Sequence, residues 1–246
     1  MSDPLVTQLL AARQGGERLP GTAGDGLTRE RIFAVQEAVV ARLGPVGGFK
    51  VACPPGAAII IAPIMARDIY PSPAVIDVPA AEEVGVELEY AFRLIAPVPD
   101  IGASDFEAQL RGAIELLPAF ELVRSRLADP KGAGAALKML DNQLNGAVVL
   151  GAPCRDWQQI DVTRANAGLI LGDDIVLDGA ARVPGGDAFA TLCALVRALG
   201  DHCGGLRPGH VVITGSLNGL PWVTPPITAE AVIDGLGAVS MRLRAI

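Results

Sequence analysis

The segment Val84-Gly-Val-Glu-Leu-Glu-Tyr-Ala-Phe-Arg-Leu-Ile95 has the clearest structural pattern in the sequence. Its apolar residues alternate with a period of two, which is typical of a β-strand. The alternation leaves Glu87 and Glu89 together on one face. Two such carboxylates lie roughly 7 Å apart and repel each other unless they face water or share a cation. The opposite face carries the apolar residues Val86, Leu88, Tyr90, Phe92 and Leu94.

This pair of glutamates has two interpretations. One is a solvated outer face, on which Arg93 helps to offset the negative charge. The other is a site for a hard cation such as Mg²⁺ or Mn²⁺, which prefers carboxylate oxygen and keeps positions open for water or substrate. Glu121 favours the second, because it interrupts the apolar run over 116–123, where a lone charge in a half-buried strand needs a partner. Alone it is typical of an edge strand; with the first pair it would complete a site of three carboxylates.

The rest of the chain predicts short strands with few helices. Helical patterns start at Asp3-Pro4 and at Thr28, and a capping box of Ser104 and Glu107 predicts a helix that includes Phe106, Leu110, Ile114 and Leu117; a further helix is predicted over 187–199. After Gly48, short β-branched runs alternate with Gly and Pro over 57–64, 84–95, 116–123, 147–150, 211–213 and 238–243.

This order lacks the regular strand and helix alternation of a doubly wound sheet. It predicts an α+β fold, with a helical N-terminal element over residues 1–50 and a β-rich roll or barrel, the catalytic domain, over 51–246.

Composition excludes several classes of protein. The 246 residues are 50% hydrophobic and 19% charged, which excludes global disorder. A net charge of −7 and only 4% aromatic residues argue against nucleic acid or an anionic membrane as a partner. We expect a cytoplasmic protein, because no apolar run approaches a membrane span and the N-terminus lacks the features of a signal peptide. The four cysteines and two histidines show no zinc-binding spacing.

Seven short motifs, in order along nearly the whole chain, resemble one family. It is the 2-keto-4-pentenoate hydratase and 4-oxalocrotonate decarboxylase branch of the fumarylacetoacetate hydrolase superfamily. Each motif is weak alone, but the order makes the resemblance strong. The motifs lie at Gly48–Val51, Val86–Glu89, Leu117–Glu121 leading to Ser125-Arg126, Leu140–Asn142, Gly146–Gly151, Leu206–Gly209 and Thr214–Ser216.

The resemblance implies a mixed β-roll, a small 2-oxo acid substrate and a homo-oligomer. It also implies an Mg²⁺ or Mn²⁺ ion held by Glu87, Glu89 and Glu121. Lys50 would lie beside this ion as the catalytic residue and supply a positive charge or a proton at the substrate oxygen; without the resemblance it would be taken as a solvated lysine near the start of a strand. Substrate-binding or supporting roles are implied for Asp141, Asn142 and Ser216.

Two departures from the family leave the reaction open. The segment over 51–59 lacks the acidic residues that usually follow the lysine, and Leu144 replaces a serine. The first alternative is a lyase that hydrates 2-hydroxypenta-2,4-dienoate in aromatic catabolism, and the second is a 4-oxalocrotonate-type decarboxylase. The third is a diverged metal-binding homologue that binds a ligand, or a hydratase or decarboxylase partner subunit, without turnover. The hydrolytic branch ranks lower, because its lid uses a histidine and no histidine precedes His202.

Overall fold

A mixed eight-stranded β-sheet forms the centre of the computed structural model, which describes residues 3–246. Its strands, numbered in chain order with those of the second sheet, are β1 (Val46–Ala52), β2 (Ile60–Met65), β3 (Ile69–Pro71), β5 (Val84–Leu94), β6 (Ile114–Val123), β7 (Asn145–Leu150), β10 (Val211–Ser216) and β11 (Trp222–Val223). They lie in the order β2-β1-β10-β5-β6-β7-β3, and β11 pairs with β5. The pairs β1–β10 and β3–β7 are parallel and the others are antiparallel.

A five-stranded sheet makes up the second layer, in the order β4-β13-β12-β8-β9. Only its β4–β13 pair is parallel. Neither sheet is built from repeated strand and helix units, which confirms the predicted α+β class. The strands are β4 (Ala74–Val78), β8 (Ala165–Leu171), β9 (Asp174–Ala181), β12 (Ile227–Ile233) and β13 (Gly237–Ala245).

The helices are α1 (Pro4–Arg13), α2 (Arg29–Leu43), α3 (Phe106–Gly112), α4 (Ala135–Leu140) and α5 (Ala188–Leu199). Both predicted N-terminal helices form with the expected caps: Asp3 accepts a hydrogen bond from the N–H of Leu5, and Thr28 accepts one from Arg31. Helices α1, α2 and α4 share one apolar cluster. The boundary proposed at residue 50 falls inside β1, which belongs to the large sheet. No helix among the described residues is both long and apolar enough to cross a bilayer.

One predicted helix is mostly strand. The capping box of Ser104 and Glu107 does not form, because α3 begins after Asp105 without a side-chain cap and ends at Gly112. Ile114 and Leu117, expected on that helix, lie on β6, whose ten residues are all buried between β5 and β7. Burial on both sides of a central strand therefore outweighs the helical spacing of these apolar residues.

Strand β5 is buried on both faces. Its alternating apolar face lies in the main core, as predicted, while its other face carries Glu87 and Glu89. The solvated outer face considered above is wrong, since Glu89 is 0% exposed. Arg93 does not offset these charges, because its guanidinium pairs with Glu115 on β6.

The aromatic centre of the main core gives a test of the fold. Phe92 is fully buried and contacts the rings of Trp157 and Phe189, with centroids 5.6 and 6.4 Å away. We expect Phe92→Ala to lower the free energy of unfolding by about 3–5 kcal/mol in urea denaturation. The control Ile101→Ala, at a residue that is 53% exposed, should change it by less than about 0.5 kcal/mol. Equal effects of the two variants would contradict this core.

Candidate metal centre

Three carboxylates meet where β5 and β6 pair. Glu87 lies directly opposite Glu121 in the antiparallel register, and Glu89 follows on the same face of β5. One oxygen of each residue lies within 4.8 Å of the others. Glu89 and Glu121 are fully buried, and the side chain of Glu87 is 12% exposed. The structure therefore brings together the three acids that the sequence pattern predicted to share a site.

Lys50 reaches this group from β1. Its Nζ lies 2.5 Å from Oε2 of Glu121 and 3.5 Å from Oε2 of Glu87. It also donates to the backbone carbonyl of Gln143, at 3.4 Å. Lys50 is 9% exposed, so the alternative of a solvated lysine near a strand start is wrong.

Neutral hydrogen-bond donors hold two of the carboxylates in place. The backbone N–H of Gly215 donates to Oε2 of Glu89 at 2.5 Å, and the side-chain amide of Asn145 donates to Oε1 of Glu121 at 2.9 Å. Gly215 lies at an irregularity in the β10–β5 register and has a φ of +113°, a conformation that favours glycine. Sequence reasoning assigned no role to Gly215 or Asn145, although Asn145 is the polar first residue of an otherwise apolar strand.

Burial and mutual repulsion set the protonation of the group. Burial raises the pKa of Glu87 to about 7; Lys50 opposes this shift and Glu121 adds to it. The pKa of Glu89 lies well above its usual value, first because of burial and then because of Glu121 and Glu87. For Lys50, burial is the largest effect and would lower the pKa, but the carboxylates, Glu121 foremost, outweigh it and raise the pKa. Lys50 is therefore an ammonium at neutral pH.

The donor set fits a divalent cation. Oε1 of Glu89 is buried and accepts no hydrogen bond from any described residue, which is costly for a carboxylate oxygen. Three carboxylates around one ammonium also leave a deficit of positive charge. Carboxylate oxygens are the donors that Mg²⁺, Mn²⁺ and Ca²⁺ prefer, so Glu87, Glu89 and Glu121 would hold such an ion.

A strained segment closes one side of the centre. Asn142, Gln143 and Leu144 have φ values of 48°, 51° and 63°, which are left-handed for non-glycine residues. Such strain persists only where surrounding contacts fix it. Here it directs the carbonyl of Gln143 to Lys50 and turns Leu144 into the wall of the pocket above Glu87. Sequence reasoning missed Gln143.

Asp141, expected near the substrate, bonds to Arg126 in the structure. It forms a buried ion pair with the guanidinium, accepts the Arg126 N–H at 2.9 Å and accepts the Ser125 hydroxyl at 3.3 Å. The same guanidinium donates to the carbonyl of Asn145 at 2.8 Å. Asp141 thus supports the residue that binds Glu121, without contacting the three carboxylates itself.

Ser216 lies opposite Glu89 on β10. Its hydroxyl donates to the carbonyl of Gly219 at 2.6 Å, and its Oγ lies 3.1 Å from Oδ1 of Asn218. Asn218 in turn bonds to the backbone of β5, accepting from Leu88 and donating to Val86. Ser216 therefore orders the turn after β10 and is not among the residues that line the pocket.

A pocket of about 300 Å³ opens above Lys50 and Glu87. About half of its lining is apolar, and two lysines lie at its edge. Neither histidine lines it; His202 instead bonds to Gln36 and contacts Glu37 on α2. The walls include Val123, Leu144, Leu220 and Trp222, and the lysines are Lys131 and Lys138.

No family model matches the sequence. Solved structures with this fold include 4-oxalocrotonate decarboxylase from Pseudomonas putida G7. Its complex with calcium and acetate has a TM-score of 0.78 at 18% identity, covering 97% of this chain and 95% of that one. Its complex with magnesium and adipate has a TM-score of 0.76 at 17% identity, covering 97% of each chain. Fumarylpyruvate hydrolase from Pseudomonas aeruginosa, in complex with Mn²⁺ and pyruvate, has a TM-score of 0.59 at 16% identity, covering 80% of this chain and 89% of that one.

These likenesses confirm the fold that the sequence resemblance implied. The chain has the mixed β-roll fold of these structures, which include a 4-oxalocrotonate decarboxylase, one of the two activities of the branch that the sequence resembles.

Metal affinity should depend on pH. Protons compete with the cation for Glu87, whose pKa is raised to about 7, and for Glu89, whose pKa is also raised. Binding should therefore strengthen as pH rises from 6 to 8, by about tenfold per pH unit below pH 7 for each proton displaced. Titration calorimetry with Mn²⁺ at pH 6, 7 and 8 measures this, and an affinity that stays constant would contradict it.

Paired variants check which residues hold the ion. Glu89→Gln removes one ligand charge and should abolish the rise in melting temperature that millimolar Mn²⁺ gives the wild type. Glu230→Gln removes the same charge at an exposed position on β12 and should leave that rise unchanged. Equal responses of the two variants would place the ion elsewhere.

Proposed function

We propose that this chain is a divalent-metal-dependent lyase of the hydratase and decarboxylase branch, acting on a small 2-oxo acid with a second carboxylate. The observation that carries the proposal is the buried group of Glu87, Glu89 and Glu121 with Lys50, at the base of a pocket with a cationic outer edge. The similarity of the chain to a decarboxylase solved in complex with magnesium and the dicarboxylate adipate supports this substrate class. Loss of CO2 from a 2-oxo dicarboxylate is the reaction we favour.

The outer edge of the pocket favours a dicarboxylate. Lys138 lies there, half-buried, and no described carboxylate forms an ion pair with it; its Nζ contacts only the carbonyl of Lys131 at 3.5 Å. Lys131 pairs with Glu83 at 2.9 Å and lies 5.2 Å from the ring of Trp222. An ammonium without a carboxylate partner, beside a small pocket, is suited to bind the far carboxylate of a substrate.

The residues of the centre have separate roles in this chemistry. A bound divalent ion supplies Lewis acidity toward the oxygens of a 2-oxo acid. Lys50 is protonated at neutral pH and lies beside the carboxylates, so it can either stabilise negative charge that develops on the substrate oxygen or donate a proton to it. Val123, Leu144 and Trp222 exclude water from the carbon chain between the two ends.

Hydration of 2-hydroxypenta-2,4-dienoate is the second candidate. The apolar walls at Val123, Leu144 and Leu220 suit an uncharged diene chain, which would not need Lys138. The diverged homologue without turnover is the third, supported by Leu144 and by the lack of acids in the exposed loop between β1 and β2.

A substrate comparison separates these functions. Protein loaded with Mg²⁺ or Mn²⁺ is assayed with a 4-oxalocrotonate-type dicarboxylate and with 2-hydroxypenta-2,4-dienoate, following absorbance and CO2 release. We expect CO2 release from the dicarboxylate, and Lys138→Gln should lower its kcat/KM about tenfold or more, mainly through KM. Turnover of the dienoate alone would establish the hydratase. Turnover of neither substrate by metal-loaded protein would favour the non-catalytic homologue.

Lys50→Met tests the assignment of the catalytic residue. It keeps most of the side-chain stem but removes the charge, so turnover of an accepted substrate should fall by roughly 10²-fold or more. Metal affinity, measured by calorimetry, should persist, because the three carboxylates remain. Unchanged turnover would show that Lys50 is structural.

Association of identical chains is also proposed. One face of the second sheet exposes apolar side chains, with Ile170 42%, Ile175 70% and Val232 49% exposed. Such a surface is commonly buried between subunits. Light scattering should give a mass that is a multiple of 25.4 kDa, and Ile175→Glu should reduce it. A concentration-independent monomer would refute the proposal.

A further inference from the structure

A second cavity, of about 780 Å³, lies between the end of α1, the segment after β6 and the strand β4. It shares no lining residue with the pocket above Glu87. Its volume lies within the roughly 300–1,000 Å³ of small-molecule sites. The charged residues that line it are the cations Arg13, Arg18, Arg67, Arg124 and Arg126 and the anions Asp68, Asp77 and Glu82.

The three carboxylates do not neutralise these arginines. Asp77 accepts two hydrogen bonds from Arg244, at 2.6 and 2.8 Å. Glu82 is shared, since Arg124 bonds to it at 2.7 and 3.2 Å and Arg18 lies 3.6 Å away. Positive charge therefore remains in excess in the cavity.

Asp68 and Arg126 are the remaining acid and the arginine that is already paired. Asp68 is 3.9 Å from Arg67, at the limit of an ion pair. The guanidinium of Arg126 is fully used, by Asp141 and by the carbonyls of Arg124, Asp141 and Asn145. Arg126 is therefore a structural residue, and the excess charge belongs to the other arginines.

Arg13 is the cation without a partner. Its Nε is buried and has no hydrogen bond, and no carboxylate of the described chain forms an ion pair with its guanidinium. Burial, and then the nearby Arg126, lower its pKa to about 9, while Asp141 and Asp68, which form no ion pair with it, act in the opposite direction; it remains charged at neutral pH. Arg13 is in the last turn of α1, where a cation is favoured by the helix dipole, but that interaction does not require its Nε to be buried. The residue as a whole is half-buried, and burying a guanidinium N–H without a hydrogen bond is costly, which favours a ligand in the cavity.

We propose that this cavity binds a small oxyanion, a phosphate or carboxylate group, with Arg13 as its principal contact. Arg18, Arg67 and Arg124 surround the same space and can share the charge. The planar guanidinium matches the geometry of both groups, since its parallel N–H donors bond to two oxygens at once.

Calorimetry on the metal-loaded protein tests the proposal. Inorganic phosphate and succinate are titrated separately at constant ionic strength, with chloride as the reference anion, and the two arms identify which oxyanion is preferred. We expect saturable binding of at least one, weakened tenfold or more by Arg13→Gln. The control Arg42→Gln removes the same charge from the last turn of α2, where the side chain is exposed, and should bind like the wild type.

Melting temperatures separate a ligand contact from a structural role. In chloride alone, Arg13→Gln should melt at the wild-type temperature or higher, because it removes a half-buried charge that forms no ion pair. If this variant does not fold, Arg67→Gln replaces it and should also weaken binding. The proposal is overturned if neither anion binds the wild type, or if Arg13→Gln binds as tightly as the wild type. A smaller assembly in Arg13→Gln, without anion binding to the wild type, would show that a second copy fills the cavity, and would also overturn it.

Discussion

The pairing of Glu87 with Glu121 across two buried strands is the constraint on which the rest of the site depends. Like charges directly opposite each other destabilise a sheet, and burial increases that cost. The strands pair in this register because the apolar residues on the opposite face of β5 fill the main core. The fold therefore holds the carboxylates together at a cost that bound protons or nearby positive charge must offset, and Lys50 supplies one part of that charge.

The supporting residues make this arrangement specific. Lys50 lies on β1, which β10 and β5 separate from β6 in the sheet order, and its Nζ nevertheless contacts Glu121. The irregularity at Gly215 interrupts the regular β10–β5 pairing and provides a donor to Glu89. Behind β6, Arg126 bonds to the carbonyl of Asn145, whose amide bonds to Glu121. Both oxygens of Glu121 and one oxygen each of Glu87 and Glu89 thus have a partner in the described chain. The buried Oε1 of Glu89 has none, which a bound cation would explain.

The sequence predicted which acids share a face but not what covers them. A period of two shows which residues of a strand share a face, and it placed Glu87 and Glu89 together. Their burial depends on long-range packing, which the alternation of residues along one strand does not indicate. The same limit explains β6, where Ile114 and Leu117 fit a helical spacing equally well until both neighbouring strands are known. Strands β3, β4, β8, β9, β11 and β12 were not predicted. In β12 the buried residues Ala229 and Ala231 are small and alternate with exposed ones, so no continuous β-branched run is present.

Family resemblance added what spacing could not. It placed Lys50 beside the carboxylates, and the structure brings them into contact. It also suggested Asp141, whose carboxylate binds Arg126, and it gave no role to Gln143, whose left-handed backbone has no signature in the sequence. Strained and shared contacts of this kind are visible only once the chain is folded.

The wide separation of these residues along the chain has a consequence for folding kinetics. Lys50 and Glu87 are 37 positions apart, and Lys50 and Gln143 are 93 apart, so the charges meet only after the central strands have paired. Contacts of such high sequence separation form late in folding. A cation that needs the complete cluster stabilises the native state more than the transition state, so its main effect is on the rate of unfolding. Bound metal would then slow unfolding and lengthen the lifetime of the native state, without increasing the rate of folding.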